Sequence, residues 1–140
     1  MGRGRASLPG GTVMGHIPAR VRVSNPREPS RRLELELLVD TGSTYIWLKR
    51  DRLEALGLRP TGRRRFRTMR GELVERDVGE ATIECLGERA TCMVVFAEEG
   101  DQEVLGITAL ENLGLEVDPT TRQLRKAEAL LALWGHATPT

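Results

Sequence analysis

The segment from Arg31 to Leu48, RRLELELLVDTGSTYIWL, constrains the fold more than any other stretch of the chain. Leu33, Leu35 and Leu37 alternate with Glu34 and Glu36, the period of a β-strand with one buried face. At Leu38 and Val39 the pattern turns fully apolar, which predicts a strand entering a core. Asp40 closes the run, and after Thr41, Gly42, Ser43 and Thr44 the chain is apolar again. A carboxylate between two apolar segments is costly to bury unless something pairs with it. Upstream, Ala19, Val21 and Val23 alternate with Arg20 and Arg22, and Asn25–Ser30 (NPREPS) has turn composition. Together these segments predict a hairpin whose second strand delivers Asp40.

Two short helices are expected. In Asp51–Leu58 (DRLEALGL), Asp51 and Glu54 have capping-box spacing and Gly57 offers a left-handed stop. Thr108–Leu115 (TALENLGL) repeats the design with Thr108, Glu111 and Gly114. A short buried strand precedes each, LLVDTG before the first and EVLG (Glu103–Gly106) before the second. This suggests one strand–loop–helix unit used twice. Between the units, alternating sequence punctuated by Gly71, Gly79 and Gly87 reads as two hairpins or a meander. Beyond the second unit, LEVDPTTRQLRK reads as a hairpin turning at Pro119-Thr120, and Ala127–Trp134 (AEALLALW) as a terminal helix or strand. The expectation is a mostly β chain with one domain over residues 11–134, a disordered arm at 1–10 and a flexible tail at 135–140.

The chain has 140 residues, enough for one modest core. It has no apolar run of the roughly eighteen residues that a membrane-spanning helix needs. The opening MGRGRASLPGG lacks the apolar region of a secretory signal, so a cytoplasmic location is the default. The two cysteines, Cys85 and Cys92, fall in TIECLGERATCMVV, expected to be a hairpin turning at Gly87-Glu88. That turn would set Cys85 opposite Ala90 and Ile83 opposite Cys92. The thiols would then be diagonal neighbours about 7–8 Å apart, too far for an unstrained disulfide. No metal site or cofactor is implied, because neither His16 nor His136 lies near a cysteine.

Net charge is +1, yet residues 1–70 hold 16 Lys/Arg against 6 Asp/Glu and residues 71–140 hold 5 against 14. Either the halves interleave and neutralise each other, or some of the basic half, above all GRRRFR (Gly62–Arg67), forms a functional surface.

The stretch LLVDTGST resembles the active-site loop of aspartic proteases. The single motif, the short chain and the later EVLGITAL resemble the retropepsin-like branch, including its small prokaryotic members, over roughly Thr12 to Arg125. Val104, Leu105 and Gly106, followed by a helix through Leu113, match the family's second element of two hydrophobics and a glycine. The resemblance implies a closed acid-protease-like barrel protomer completed by homodimerisation. Asp40 would be catalytic and its missing partner would be Asp40 of a second copy. Two carboxylates about 3 Å apart share one proton, so one acts as base and the other as acid. By the same resemblance Thr41 would bond across the axis, Gly42 would admit the backbone to the carboxylate and offer its N–H, and the Ser43 hydroxyl would reach the outer carboxylate oxygen. Thr44 departs from the acidic residue usual in retroviral enzymes.

The flap of such an enzyme would be RTMRGEL, with its tip at Met69, Arg70 and Gly71. An extended peptide or unfolded protein would lie between flap and dyad. Tyr45 and Trp47 read as core or pocket wall, Trp134 as a dimer contact or plug, and His16 as a strand-end residue. Two other readings remain: a non-proteolytic dimerisation or peptide-binding module on the same fold, and nucleic-acid binding through Arg63–Arg67. The second has one interleaved aromatic, Phe66, and no recognised nucleic-acid motif.

Overall fold

Strands β1 (Ile17–Ser24) and β2 (Arg32–Val39) form the expected antiparallel hairpin. Ala19 stands opposite Leu37, Val21 opposite Leu35 and Val23 opposite Leu33, so one face is apolar throughout. On the other face Arg22 pairs with Glu34 at 2.8 Å. The connecting turn is closed by buried Asn25, whose side chain accepts from the N–H groups of Arg27 and Glu28 and donates to the Leu56 carbonyl. This computed structural model describes residues 17–128. The arm at 1–10, the tail at 135–140, His16, His136 and the segment Leu130–Trp134 lie outside the described residues.

After Asp40 the chain runs through β3 (Ile46–Lys49), α1 (Arg50–Ala55), β4 (Gly62–Arg67), β5 (Leu73–Cys85), β6 (Glu88–Ala97), β7 (Val104–Leu105) and α2 (Ile107–Leu113). The small hairpin of β8 (Leu115–Val117) and β9 (Leu124–Lys126) follows. The main sheet has the order β1-β2-β7-β3-β6-β5-β4, and β5 also pairs with β1 through Val23–Ile83 and its neighbours. The sheet therefore closes into a ring, a mostly β barrel with two short helices. Strand β5 is long enough to serve two partners along one edge. Its last residues close the ring on β1, and its first half carries β4 as a projecting hairpin. Gly79 sits where the two roles meet: a Cβ there would be 3.1 Å from both the Arg59 carbonyl and the Phe96 ring. Leu37, Ile46, Leu48, Leu53, Ile83 and Phe96 fill the interior, all essentially inaccessible.

Several local expectations are corrected. Neither capping box forms. Helix α1 begins after Lys49, whose N–H is accepted by the Glu103 carboxylate at 2.8 Å, and Asp51 lies in the first turn. Helix α2 begins after Gly106, with Thr108 inside the helix. The glycine stops do hold, with φ of +80° at Gly57 and +71° at Gly114. Strand β3 stands between the Asp40 loop and α1, so the first unit has one more strand than the second. The cysteine hairpin turns at Leu86-Gly87, both with positive φ, which shifts the register by two. Cys85 then faces Glu88 and Cys92 faces Ala81. The thiols are free and buried, about 13 Å apart along the ladder, and burial pushes both up in pKa. Leu38 does not enter the core: it is 41% exposed, because the strand keeps alternating to its end.

The charge asymmetry is neutralised in part by interleaving. Arg22, Arg50, Arg52 and Arg63 of the basic half pair with Glu84, Asp77, Glu98, Glu103 and Glu75 of the acidic half. No helix among the described residues is long and apolar enough to cross a membrane.

At the base of the β4–β5 hairpin, Arg76 grips both oxygens of Asp101 at 2.6 and 2.9 Å. Arg76 holds the Asp101 carboxyl below its usual range, an effect partly offset by burial and aided by the Glu98 N–H. A depressed folded-state pKa stabilises above the unfolded value of about 3.9, and that stability is lost as pH falls through the folded value. Asp101→Asn should therefore cost about 1–2 kcal/mol at neutral pH, with the gap to wild type narrowing as pH falls below the unfolded value and closing as it passes through the folded one. Urea unfolding midpoints across that pH range measure it.

Candidate active site

Asp40 stands where β2 meets β7. The two strands pair in parallel through Leu38–Val104 and Val39–Leu105, and the Asp40 N–H continues the ladder to the Leu105 carbonyl at 2.9 Å. The loop then folds tightly: the Ser43 N–H returns to the Asp40 carbonyl at 3.0 Å, and the Gly42 N–H donates to Asp40 Oδ1 at 2.9 Å. One carboxylate oxygen is thereby oriented by the backbone. Asp40 is only half-buried and has no cationic partner among the described residues.

The far side of the loop is held by α2. A helix leaves its first N–H groups without internal partners, and here the Ile107 and Thr108 N–H groups donate to the Ser43 and Thr44 carbonyls at 2.8 and 2.9 Å. The approach requires glycine at 106: a Cβ there would lie 2.7 Å from the Ser43 carbonyl oxygen and closer still to that of Tyr45. Leu105, fully buried, anchors the same element in the core. Thr41 is exposed at the loop's outer edge. The Ser43 hydroxyl corrects an expectation. It donates to the Tyr45 carbonyl at 3.0 Å instead of to the Asp40 carboxylate, since the tight turn aims it down the chain.

A second apolar layer lies outside the barrel, beside this loop. Leu38, Val104, Trp47, Val95 and Val78 are successive cross-strand partners on β2, β7, β3, β6 and β5. The three valines are buried yet belong to no part of the interior cluster. They are covered from the outer side, where Phe66 of β4 packs edge-on against Trp47 (ring centroids 5.1 Å apart) and Tyr45 (6.0 Å). The β4–β5 hairpin thus curls over the sheet on the side where Leu38 is exposed, two residues before Asp40. Its tip carries Met69, Arg70 and Gly71, all exposed, with Gly71 at φ +87°. Tyr45 and Trp47 therefore lie on the outer face of the sheet, half-buried under Phe66, and not in the barrel core.

Two contributors are not legible as members of this site in the sequence, Leu38 and Phe66. Arg64 is legible there only as one of five arginines (Arg63, Arg64, Arg65, Arg67 and Arg70) close to the expected flap, whose charge favours acidic substrate segments. The period-two count that put Leu37 inside also put Leu38 outside, and Phe66 is the one aromatic of a basic run. Among the described residues no group of three or more His, Cys, Asp or Glu is placed to hold a metal ion.

Comparison with known proteins matches residues 19–117 to the family model described as aspartyl protease. Among solved structures the chain is similar to the simian foamy virus (mac) protease, solved in solution, at 19% identity and a TM-score of 0.49, covering 68% of this chain and 92% of that one. No curated protein matches the sequence.

Gly106→Ala should force the loop and α2 apart, costing about 1–3 kcal/mol of stability. It should displace Asp40 enough to remove any activity that depends on it. Thermal unfolding and an activity assay on the folded fraction check this together; a variant as stable as wild type would refute the close approach.

Proposed function

The chain belongs to the aspartyl protease family, and on that premise we propose that it is an aspartic endopeptidase active as a homodimer, with residues 11–134 as the protease unit. The observation that carries the reading is Asp40 itself. Its backbone and one oxygen are fixed by Leu105 and Gly42, yet no cation among the described residues neutralises it. A two-fold axis at the loop would supply the second carboxylate from the same residue of another copy.

Peptide hydrolysis by such a pair needs no covalent intermediate. The ionised carboxylate takes a proton from a water as the water oxygen attacks the carbonyl carbon. The protonated one gives its proton to the carbonyl oxygen. The resulting diol collapses as the amine leaves with a proton, and the C–N bond breaks. The Gly42 N–H keeps the carboxylate in its plane, and exposed Thr41 would bond across the axis to the opposite loop. The β4–β5 hairpin acts as the flap, with Met69, Arg70 and Gly71 at its tip. An extended peptide or unfolded segment lies between it and the row of Leu38 and Trp47. Two apolar segments are available to close the dimer, Leu115–Val117, which pairs with β9 along one edge, and Leu130–Trp134.

Activity per chain should fall on dilution below the dimer dissociation constant. Asp40→Asn should abolish it, and excess Asp40→Asn chains should poison wild type under subunit exchange, because a mixed dimer has one ionisable carboxylate. Activity strictly proportional to wild-type chains while mixed dimers form would overturn the dyad. Peptide binding without cleavage by wild type would favour the non-proteolytic module instead.

Coupled carboxylates titrate as a unit with two apparent pKa values. The pH–rate profile should therefore be bell-shaped on the acidic side of neutral, and chelators should leave it unchanged. A rate still rising above about pH 8 is incompatible with one shared proton.

A further inference from the structure

We propose that Arg64 is a specificity-determining residue of this site, pairing with an Asp or Glu side chain of the extended peptide at one fixed position outside the two residues joined by the scissile bond. The inference rests on the protease reading and adds the chemistry of the substrate to it.

The basic run of β4 divides between two faces. Alternation along the strand puts Arg63, Arg65 and Arg67 on one side and Arg64 and Phe66 on the other. Arg63 is engaged by Asp77 at 3.2 Å and Glu75 at 3.6 Å, and Arg67 donates to the Gly71 carbonyl at 2.7 Å. Arg64 turns toward the sheet. Its guanidinium lies over the Tyr45 ring, 5.8 Å from the centroid, and donates to the Tyr45 hydroxyl at 3.0 Å. Phe66 beside it packs on the same ring.

The residue directly opposite Arg64 on β5 is Arg76, on the same face of the hairpin. Asp101 satisfies Arg76 with both of its oxygens. Of two neighbouring guanidinium groups on the cleft-facing side, one has its carboxylate and the other has a phenol. A tyrosine hydroxyl orients a guanidinium without neutralising it. Of five N–H groups, Arg64 donates one to an acceptor among the described residues. What remains is a planar, pre-positioned fork of the kind that binds a carboxylate through two hydrogen bonds, with Tyr45 restricting its motion.

The position follows from the sheet. Leu38 and Trp47 are two strands apart, about 10 Å, and Arg64 lies beyond Trp47 in the Tyr45–Phe66 cluster. A peptide crossing from Asp40 toward that cluster would present its acidic side chain at least one residue away from the cleaved bond. Diffuse attraction from the whole basic run would give no such fixed position, so the two explanations differ in what they predict.

The test is cleavage-site profiling of a positional peptide library by the full chain and by its Arg64→Gln, Arg64→Glu and Arg65→Gln variants. Binding of a Glu/Gln peptide pair to Asp40→Asn and to Asp40→Asn/Arg64→Gln is measured alongside. Wild type should favour Asp or Glu at one position by roughly three- to tenfold in kcat/KM. Arg64→Gln should lose the preference, Arg64→Glu should shift it to Lys or Arg, and Arg65→Gln, which removes the same charge from the opposite face, should keep it. An acid preference that survives Arg64→Gln, or that Arg65→Gln removes as fully, overturns the proposal while leaving the protease reading intact. If no peptide is cut, the protease reading fails and the binding arm decides: preference for Glu over Gln in Asp40→Asn that vanishes in the double variant sustains the role of Arg64, and equal affinities overturn it.

Discussion

The carbonyls of Ser43 and Thr44 accept the first N–H groups of α2, while the Asp40 N–H is accepted by Leu105 on the strand that leads into the same helix. These three bonds, drawn around a position with no room for a side chain, hold the loop from both sides. Each partner supplies what the other lacks. The helix start has N–H groups with no internal acceptor, and the loop has carbonyls that its own turn leaves open. Asp40 is held this way by backbone groups alone. Its carboxylate owes its orientation to the Gly42 N–H and remains open to whatever approaches from the exposed side.

The same sheet serves two purposes on its two faces. Leu35, Leu37 and Val39 point into a core that has no accessible surface to spare, and Leu38 points out beside Asp40. Strand β3 does likewise, with Ile46 and Leu48 inside and Tyr45 and Trp47 outside. The outer apolar row would be an ordinary exposed patch but for the β4–β5 hairpin, whose Phe66 shelters it. The outer apolar row and the barrel core share a backbone, so neither moves without the other.

What the sequence disclosed and what it concealed divide along the range of the interactions involved. Alternation in Leu33–Leu37 and Ala19–Val23 reports a local fact, which side of a strand is wet, and it located the hairpin and Asp40. The capping boxes at Asp51 and Thr108 had the right spacing but were pre-empted by acceptors far away in the chain, Glu103 for one helix and the Asp40 loop for the other. No local pattern reveals such competitors. The cysteine register slipped because Leu86 takes a positive φ, which a branched apolar residue rarely adopts; the ladder on either side outweighed that local cost. Leu38 was misassigned because a run of apolar letters does not state which face a residue takes, and the count of two did. The division of GRRRFR into Arg64 and Phe66 on one face and Arg63, Arg65 and Arg67 on the other needed only the strand assignment. That Arg64 meets a phenol and not a carboxylate needed the curl of the hairpin.

That curl also fixes how the hairpin is held against the sheet. The tip of the hairpin is tied to itself: Thr68 and Glu72 bond each other through backbone and hydroxyl, Gly71 bonds back to Thr68, and Arg67 caps the Gly71 carbonyl. The base is tied to the body by ion pairs from Arg50 to Asp77 and from Arg76 to Asp101. Between tip and base Phe66 packs on the sheet's aromatics, and the Arg64–Tyr45 bond lies on the same rung as Arg76. Lifting the hairpin beyond that rung would break the Phe66 contacts while sparing both the internal order of the tip and the charges at the base. Under the protease reading proposed above, a bound peptide would replace these contacts, an apolar side chain against Trp47 and Phe66 and a carboxylate against Arg64. On that reading the closed arrangement would be recovered with the peptide in place of the contacts it displaced, and the energy of closing would depend on what the peptide brings to those three side chains.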